Sequence, residues 1–501
     1  MTVRRELLTL VSRTLPAVAA AYLRGLNQHR AYQAARPTPQ HPTRGDGHSA
    51  DLNIELAGPA LRNHARWLDE NHDLSVGVLD TLVNRIVGAG ILPEPMVRTR
   101  GGELHEGINT AIRALRDEWA MRPEMTQSDA LAECQRIECR TWLRDGEHFI
   151  QHLEATPRYP YPSAVPYAYE MLEPDFVPYD LIDESRNIVH GIERDAFRIP
   201  RVYHFLRQHP GALRGRFTTI RDTIPVSAAR VTHRRFTRRM HQARGVSLFH
   251  AVLRRLQYID SWEETEMIAA KVAAALTVVM TKSPDTALTA AEKERIGQRQ
   301  GLKMQPGMIL TDVLPGEEPK VVSSDRPNPN LGDHRFDMLR AVSAGTGAGA
   351  STIGRRYEGN YSAQRQELVE GDVGYARLHG AFVASGEIQK WARLLDLAVL
   401  SKALILDGDV DLATLHHADY PRPPLPWIQP LQEANADVAL IEAEIESLEA
   451  VQRRRGLDPR RVAAEIAARP KTAARPGAAE PEPELDEELE DDTLSDEENA
   501  A

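Results

Sequence analysis

The side chains in this sequence best suited to chemistry are its arginines. Fifteen of them stand between Gly191 and Arg255 against three acids, and they crowd into RVTHRRFTRRMHQAR. Arg230, Arg234, Arg235, Arg238, Arg239 and Arg244 carry guanidinium forks that match phosphate oxygens, with an affinity that falls steeply as salt rises. The same forks suit carboxylates of a neighbouring subunit or of the same fold. Both readings stay open at this level. A second group follows the glycine-rich run GTGAGAST. Gly345, Gly347, Gly349 and Gly354 give a backbone that can bend as other residues cannot, so the run reads as a hinge or loop, and Arg355, Arg356, Asn360 and Tyr361 come next as candidate phosphate contacts. The alternative is that these glycines allow close helix packing and that the arginines pair with acids such as Glu358 or Glu367. Lys293, Arg295, Arg299 and Lys303 form a third, looser basic group.

Other chemistries lack their residues. The glycine run has no Lys-Ser/Thr ending and follows a helical segment, so it does not make a nucleotide-binding P-loop. No HExxH, GxSxG or strand-borne GxGxxG occurs, nor an acidic cluster spaced for two metal ions. His416-His417 reads as a solvated pair. Cys134 and Cys139 lie five apart on a helical segment, with side chains on different faces, so neither a disulfide nor a zinc site is expected and the chemistry suits a reducing cytoplasm. No catalytic residue, metal or cofactor is expected.

The elements that must position these groups belong to a chain of 501 residues, longer than one core usually serves. Hydrophobic residues make up 42% and charged ones 27%, a soluble globular balance, and no apolar run is long enough to span a membrane. The net charge of −11 sits in the tail: twelve acids and no Lys or Arg lie from Glu480 onward, which leaves the rest of the chain near neutral. Beyond Arg469 the composition cannot bury enough apolar surface to fold; it reads as a solubilising extension, or as an arm for a basic partner. At the N-terminus, Glu6, Arg13 and Pro16 interrupt a signal-like stretch, which reads instead as a mobile or amphipathic arm.

RPTPQHPTRGDGHSA, ending at Ala50, is a linker. Leu61 to Ile91 carries a broken helical period stopped by Gly88, Gly90 and Pro93. From about 130 to 255, runs such as HFIQHL and RVYHFLR alternate with Pro-rich connectors, an α+β pattern. Ser261 and Glu264 have capping-box spacing, which predicts a helix from Ser261 to near Lys282. MILTDVL and KVV are two short strands between turns. Helix returns at HRFDMLRAVSA, and a long one is predicted from Ser362 to Leu406. ALIEAEIESLEAVQRRR predicts a further helix ended by Gly456, with Asp458 and Pro459 starting one more.

This order of segments resembles the lambda-type family of phage portal proteins. AYQAAR, a linker, and LRNHARWLDENHDLSVGVLDTLVNRIVGAGI are similar to the family's N-terminal signature. WLRDGEHFIQHL, EMLEPDFVP, HGIERDAFRIPRVYHF, QARGVSLFHAVLRRL, LKMQPGMILTDVLPGEEPKVV and YEGNYSAQRQELVE follow in family order, so that the resemblance covers about residues 30 to 465. The glycine-rich AGTGAGAST and the acidic tail depart from it.

The resemblance implies an α+β, predominantly α fold: an N-terminal arm and linker (1–50), an α/β wing (51–260), stem helix 1 (261–283), a small β-containing clip (284–330), stem helix 2 (331–344), a channel loop (345–361), a long helix returning to the wing (362–411), a C-terminal helical crown (412–469) and a disordered acidic tail (470–501). It further implies a non-enzymatic subunit of a ring, commonly of twelve, at one vertex of the capsid. That ring passes double-stranded DNA without reading its sequence, during packaging, retention and ejection. The implied partners are the terminase large subunit, a head-tail adaptor, and the major capsid and scaffold proteins, with no membrane; the clip cations Lys293, Arg295, Arg299 and Lys303 would face terminase or adaptor. The implied location is the virion, after assembly in the host cytoplasm. A different phage head or adaptor protein, or a phage DNA-processing enzyme, are the alternatives.

Overall fold

The computed structural model describes residues 47–212, 223–274, 278–282, 289, 317–321, 331–357, 361–424, 430–457 and 459–468. Most of the linker, the residues after 468, and Lys293, Arg295, Arg299 and Lys303 lie outside them. The fold is mixed helix and sheet, mostly helical, and no described helix is long and apolar enough to cross a membrane.

Helix α1 (Ala50–Asn71) opens where Ser49 Oγ accepts the Leu52 amide at 3.2 Å. It stops at His72, whose backbone is extended, and Asp73 then starts α2 (Asp73–Ile86) by accepting the Leu74 amide. The broken helical period is therefore two helices meeting at His72. The short strand β1 (Glu94–Pro95) leads to α3 (Glu106–Ala120) and α4 (Leu131–Asp145). Helix α4 ends on Gly146 in the left-handed region, φ +89°.

Two antiparallel sheets follow. β2 (Glu147–Glu154), β3 (Tyr167–Leu172) and a later strand form one, and β4 (Ile188–Val189), β5 (Ile192–Arg194), β6 (Pro200–Leu206) and β7 (Thr223–Ser227) form the other in sequence order. The later strand, β8 (Val231–Arg235), pairs with β2 on the side opposite β3. HFIQHL lies in β2 and RVYHFL in β6, the two β-like runs that the sequence offered here. Phe149, Val177, Ile192, Tyr203, Phe205 and Val231 fill the space between the sheets.

Helix α5 (Leu253–Ala274) corrects the sequence expectation at both ends. It begins eight residues before Ser261, because Leu256 and Ile259 are buried and extend the apolar period upstream. It ends before Val278, and Val278–Lys282 is strand β9, paired antiparallel with β10 (Glu317–Val321). The β-branched Val278-Val279 pair suits a strand better than a last helical turn. KVV thus contributes to β10, and its partner is β9; MILTDVL lies outside the described residues.

Helices α6 (Leu331–Thr346), α7 (Ala350–Gly354) and α8 (Tyr361–Phe382) come next, then a one-turn π segment (Val383–Glu387) and α9 (Ile388–Leu400). The long helix expected to reach Leu406 is interrupted by this wide turn and stops at Leu400. β11 (Ala418–Asp419) pairs with β1. The remaining helices are α10 (Pro430–Glu442), α11 (Leu448–Arg454) and α12 (Pro459–Ala467). The single helix expected through ALIEAEIESLEAVQRRR is broken between α10 and α11: Glu444 is left-handed (φ 57°) and Ser447 Oγ caps the amide of Ala450 at 3.1 Å.

One core joins α1, α2 and α4 to α5, α6 and α8 through residues such as Leu68, Leu79, Leu143, Leu256, Leu339 and Phe382. A second lies among α3, α4, the β2–β3 pair and α9, around Trp119, Ile150, Tyr167, Trp391 and Leu395. Helix α4 is the wall between them: Cys139 faces the first core and Cys134 the second.

Candidate functional site

The glycine-rich segment is a helix junction more than a loop. Gly345 lies in the last turn of α6, where a Cβ would come 2.4 Å from Val252 Cγ1. A Cβ on Gly349 would meet the Glu367 carboxylate at 2.7 Å, and one on Gly354 would meet Leu339 at 2.7 Å. These three glycines permit close packing, which corrects their reading as hinges. Gly347, at φ +81°, is the one that turns the chain, its amide donating to Ser343 O at 2.7 Å as α6 ends. Glu367 accepts the Ser351 amide at 3.1 Å, so an acid of α8 already occupies the start of α7 where an anion would have to bind.

On the surface of this junction, Arg340 lies 4.7 Å and Arg356 5.3 Å from the centre of the Phe336 ring. Arg356 also pairs with Asp333 and donates to Gly332 O, both at 3.3 Å. Arg355 closes α7 in a left-handed conformation (φ 52°) with its side chain exposed. Among the described residues it makes no ion pair. A cleft of about 700 Å³ runs between α6, α7 and α8, lined by Phe336, Arg340, Ser351, Arg356 and Glu367 among others. Asn360 lies outside the described residues and Tyr361 is the first residue of α8. Phe336 and Arg340 were not singled out from the sequence, and nothing in their spacing marks them.

The arginine-rich segment divides between interior and surface. Arg234 is wholly buried. It binds Glu138 at 2.9 Å and Glu387 at 3.0 Å, donates to Phe382 O at 3.1 Å and Ser385 Oγ at 3.0 Å, and lies 3.6 Å from the Phe382 ring centre. Lys390 Nζ contacts the same two carboxylates at 2.8 and 3.0 Å, so two cations face two anions in the interior. Burial alone would raise the Glu387 carboxyl, but Lys390 and Arg234 outweigh it and hold it low. Burial and the nearby Arg234 push His148 well below its ordinary value, which keeps its Nε2 an acceptor 3.3 Å from Arg234 Nη1.

Arg244 is buried as fully. It binds Glu147 at 2.7 Å and donates to the carbonyls of Val177, His190 and Pro174 at 2.9 to 3.0 Å. Tyr179 Oη, the Gly245 amide and His233 Nε2 complete the shell of Glu147 at 2.9, 2.7 and 2.9 Å. Burial opposes the Glu147 charge, yet Arg244 and His233 hold its carboxyl far below the usual range. Beside this centre the chains cross at Gly146 and Gly245; a Cβ on Gly245 would lie 2.0 Å from Gly146 O. Arg234 and Arg244 are therefore internal struts, fully buried and paired with acids of the same fold, which corrects the reading of both as phosphate or subunit contacts. Arg235 is half-buried and donates to Ala243 O. Arg230, Arg238 and Arg239 are exposed, with Arg239 donating to His48 O at 3.1 Å.

Glu173, Asp175 and His209 approach one another closely enough to share a cation. Asp175, however, already receives Arg62 at 3.0 Å and Arg66 at 2.7 Å, so the charge a cation would bring is present. His416 pairs with Asp396 at 2.8 Å. Both cysteines are buried as free thiols; burial raises Cys134 to about 12 and pushes Cys139 up as well.

Residues 38–378 match the family described as "Phage portal protein, lambda family". The chain is similar to a protein of Halomonas phage phiHAP-1 named "Probable portal protein", 22% identical over 451 residues, which covers 86% of this chain and 84% of that one. Among solved structures it is similar to a chain in the virion of a native gene transfer agent particle (TM-score 0.43, 12% identity, 86% of this chain and 99% of that chain). It is also similar to a chain from the neck of the native particle, computed with C12 symmetry (TM-score 0.42, 12% identity, 81% and 99%). Since the family match spans well over half of the sequence, this chain belongs to the lambda family of phage portal proteins, a structural family.

Proposed function

We propose that this protein assembles into a closed ring, with twelve subunits the expected number, at one vertex of a phage capsid, and that the ring is the channel for double-stranded DNA. The observation that carries the reading is the family match across residues 38–378. The packing of α5 supports it. Leu256 and Ile259 face Leu339 and Val342 of α6, while Tyr258, Met267 and Ile268 on the remaining surface are each more than half exposed. An apolar face of this kind needs a neighbour, and a head-to-tail contact repeated by a closing rotation makes a ring.

In this reading α5 and α6 are the stem, the β9–β10 pair borders the clip, the two sheets and the helices around them are the wing, and α10 to α12 belong to the crown. A separate terminase large subunit supplies the energy of packaging, and this chain hydrolyses nothing. A head-tail adaptor and the capsid and scaffold proteins are its other partners, and the virion is its location. A channel for any genome contacts phosphates rather than base edges, and exposed Arg355 beside Arg340 and Arg356 is the candidate contact. Negative-stain imaging and native mass spectrometry of the purified protein test the proposal. Closed rings with a hole wide enough for a duplex are expected; a monomer at all concentrations and salt levels overturns it.

A further inference from the structure

The loop between β5 and β6 is built to hold one side chain out. Asp195 Oδ1 accepts the amides of Phe197 and Ile199, both at 2.9 Å, and its main chain closes on Ile199 O at 3.0 Å and Arg198 N at 3.0 Å. Arg201 pairs with the same carboxylate at 3.0 Å, and Asn187 Nδ2 ties the carbonyls of Arg194 and Asp195. On this braced tip Phe197 is 85% exposed, with Ile199 beside it 53% exposed. Arg198 is exposed too, and among the described residues it makes no ion pair. A rigid loop presenting an aromatic side chain loses little freedom on binding, which is how an interface anchor works.

The far end of β6 carries a cleft of about 510 Å³. Pro59, Val177, Pro178 and Leu206 give it apolar walls, the Arg62–Asp175 ion pair lines it as well, and Glu55 and Asp180 stand on its rim, exposed and, among the described residues, without an ion pair. Its volume is in the range that admits a small organic group. Shape and charge thus complement the tip: a partly apolar hole with two exposed acids on its rim, whose own arginine is already paired with Asp175, and an aromatic knob beside an arginine. The two lie at opposite ends of a seven-residue strand, roughly 23 Å apart, so the tip of one molecule cannot reach its own cleft.

We propose that Phe197 of one copy seats in this cleft on the next copy, with Arg198 facing Asp180 or Glu55. The contact is head-to-tail by construction, since knob and hole are different surfaces. It rests on the ring reading above and assigns that ring one of its interfaces.

The test uses the full chain. Phe197→Ser should raise the concentration at which rings form by at least tenfold, while circular dichroism and melting of the unassembled protein stay unchanged, because an exposed side chain contributes nothing to the core. Arg198→Glu should weaken assembly, and Arg198→Glu with Asp180→Arg should restore it. With Phe197 in place, the pair Arg198→Cys and Asp180→Cys, treated with a short bismaleimide, should give a ladder of linked subunits. Neither single variant should do so, as the native cysteines are buried. If wild-type rings form and Phe197→Ser rings form equally well with no ladder from the paired variant, this contact is overturned and the ring stands. A wild-type chain that never assembles overturns both.

Discussion

Gly386 leaves room for Arg234: a Cβ at position 386 would lie 2.0 Å from Arg234 Nη2. The π turn at Val383–Glu387 opens the long helix at the point where the guanidinium enters and reaches Phe382 O. Gly386→Ala should therefore expel the arginine or the helix, and a large loss of soluble protein is expected. Arg234→Met should lower stability by about 3–5 kcal/mol, because it leaves Glu138 and Glu387 facing Lys390 alone. Adding Glu138→Gln to Arg234→Met should recover part of that loss in denaturant titrations. Equal stability of wild type and Arg234→Met would show that the centre is not a strut.

At the helix junction the glycines and the arginines should separate experimentally. Gly345→Ala and Gly354→Ala insert a methyl against Val252 and Leu339 and should cost about 1–3 kcal/mol, read as a lowered melting temperature. Gly347→Ala meets open space but a left-handed backbone, and should cost about 1 kcal/mol. Arg355→Ala should leave melting and ring formation intact while lowering packaged or retained DNA. Arg356→Ala loses a surface pair and should change stability by less than about 1 kcal/mol. Normal packaging by assembled particles carrying both Arg355→Ala and Arg356→Ala removes the phosphate role.

Acid should destabilise the sheets through His152. Its ring is buried between Tyr167 Oη and Thr232 Oγ1, each at 2.9 Å, and burial followed by the charge of Arg393 lowers it to about 3. The unfolded chain then binds a proton that the folded chain refuses, so stability is full above the ordinary histidine value of about 6.5 and falls as pH drops from there toward 3. The expected loss is about 2 kcal/mol by pH 5. His152→Gln should flatten the melting profile between pH 7 and pH 5; an unchanged slope would exclude His152 as a source.

Thiol reagents should not find this protein until it unfolds. Cys134 and Cys139 are buried in different cores with thiols raised by burial, so labelling at neutral pH should be slow in buffer and complete in denaturant. Rapid labelling of the native protein would show that one of the two cores opens readily.

Much of the secondary structure was legible because periodicity is local. The two helices meeting at His72, the strands holding HFIQHL and RVYHFLR, and the opposed cysteines on α4 all follow from spacings within a few residues. The burial of Arg234 was not legible, since its partners Glu138 and Glu387 stand 96 and 153 residues away. Ser261 misled because a capping-box spacing inside a longer apolar period is only spacing. The glycine-rich run misled for a related reason: glycine permits both a bend and a close approach, and only Val252, Glu367 and Leu339 decide which. Phe197 and its cleft gave no sequence signal, because exposure belongs to the folded surface alone.

Helix α4 shows solvent only a narrow edge, with Glu133 and Ile137 exposed, and its remaining faces are committed to the two cores. It is sandwiched along both flanks, so neither core can melt and leave the other intact. Heating should give one calorimetric transition for this part of the molecule, and the α4 amides should be among the last to exchange with deuterium.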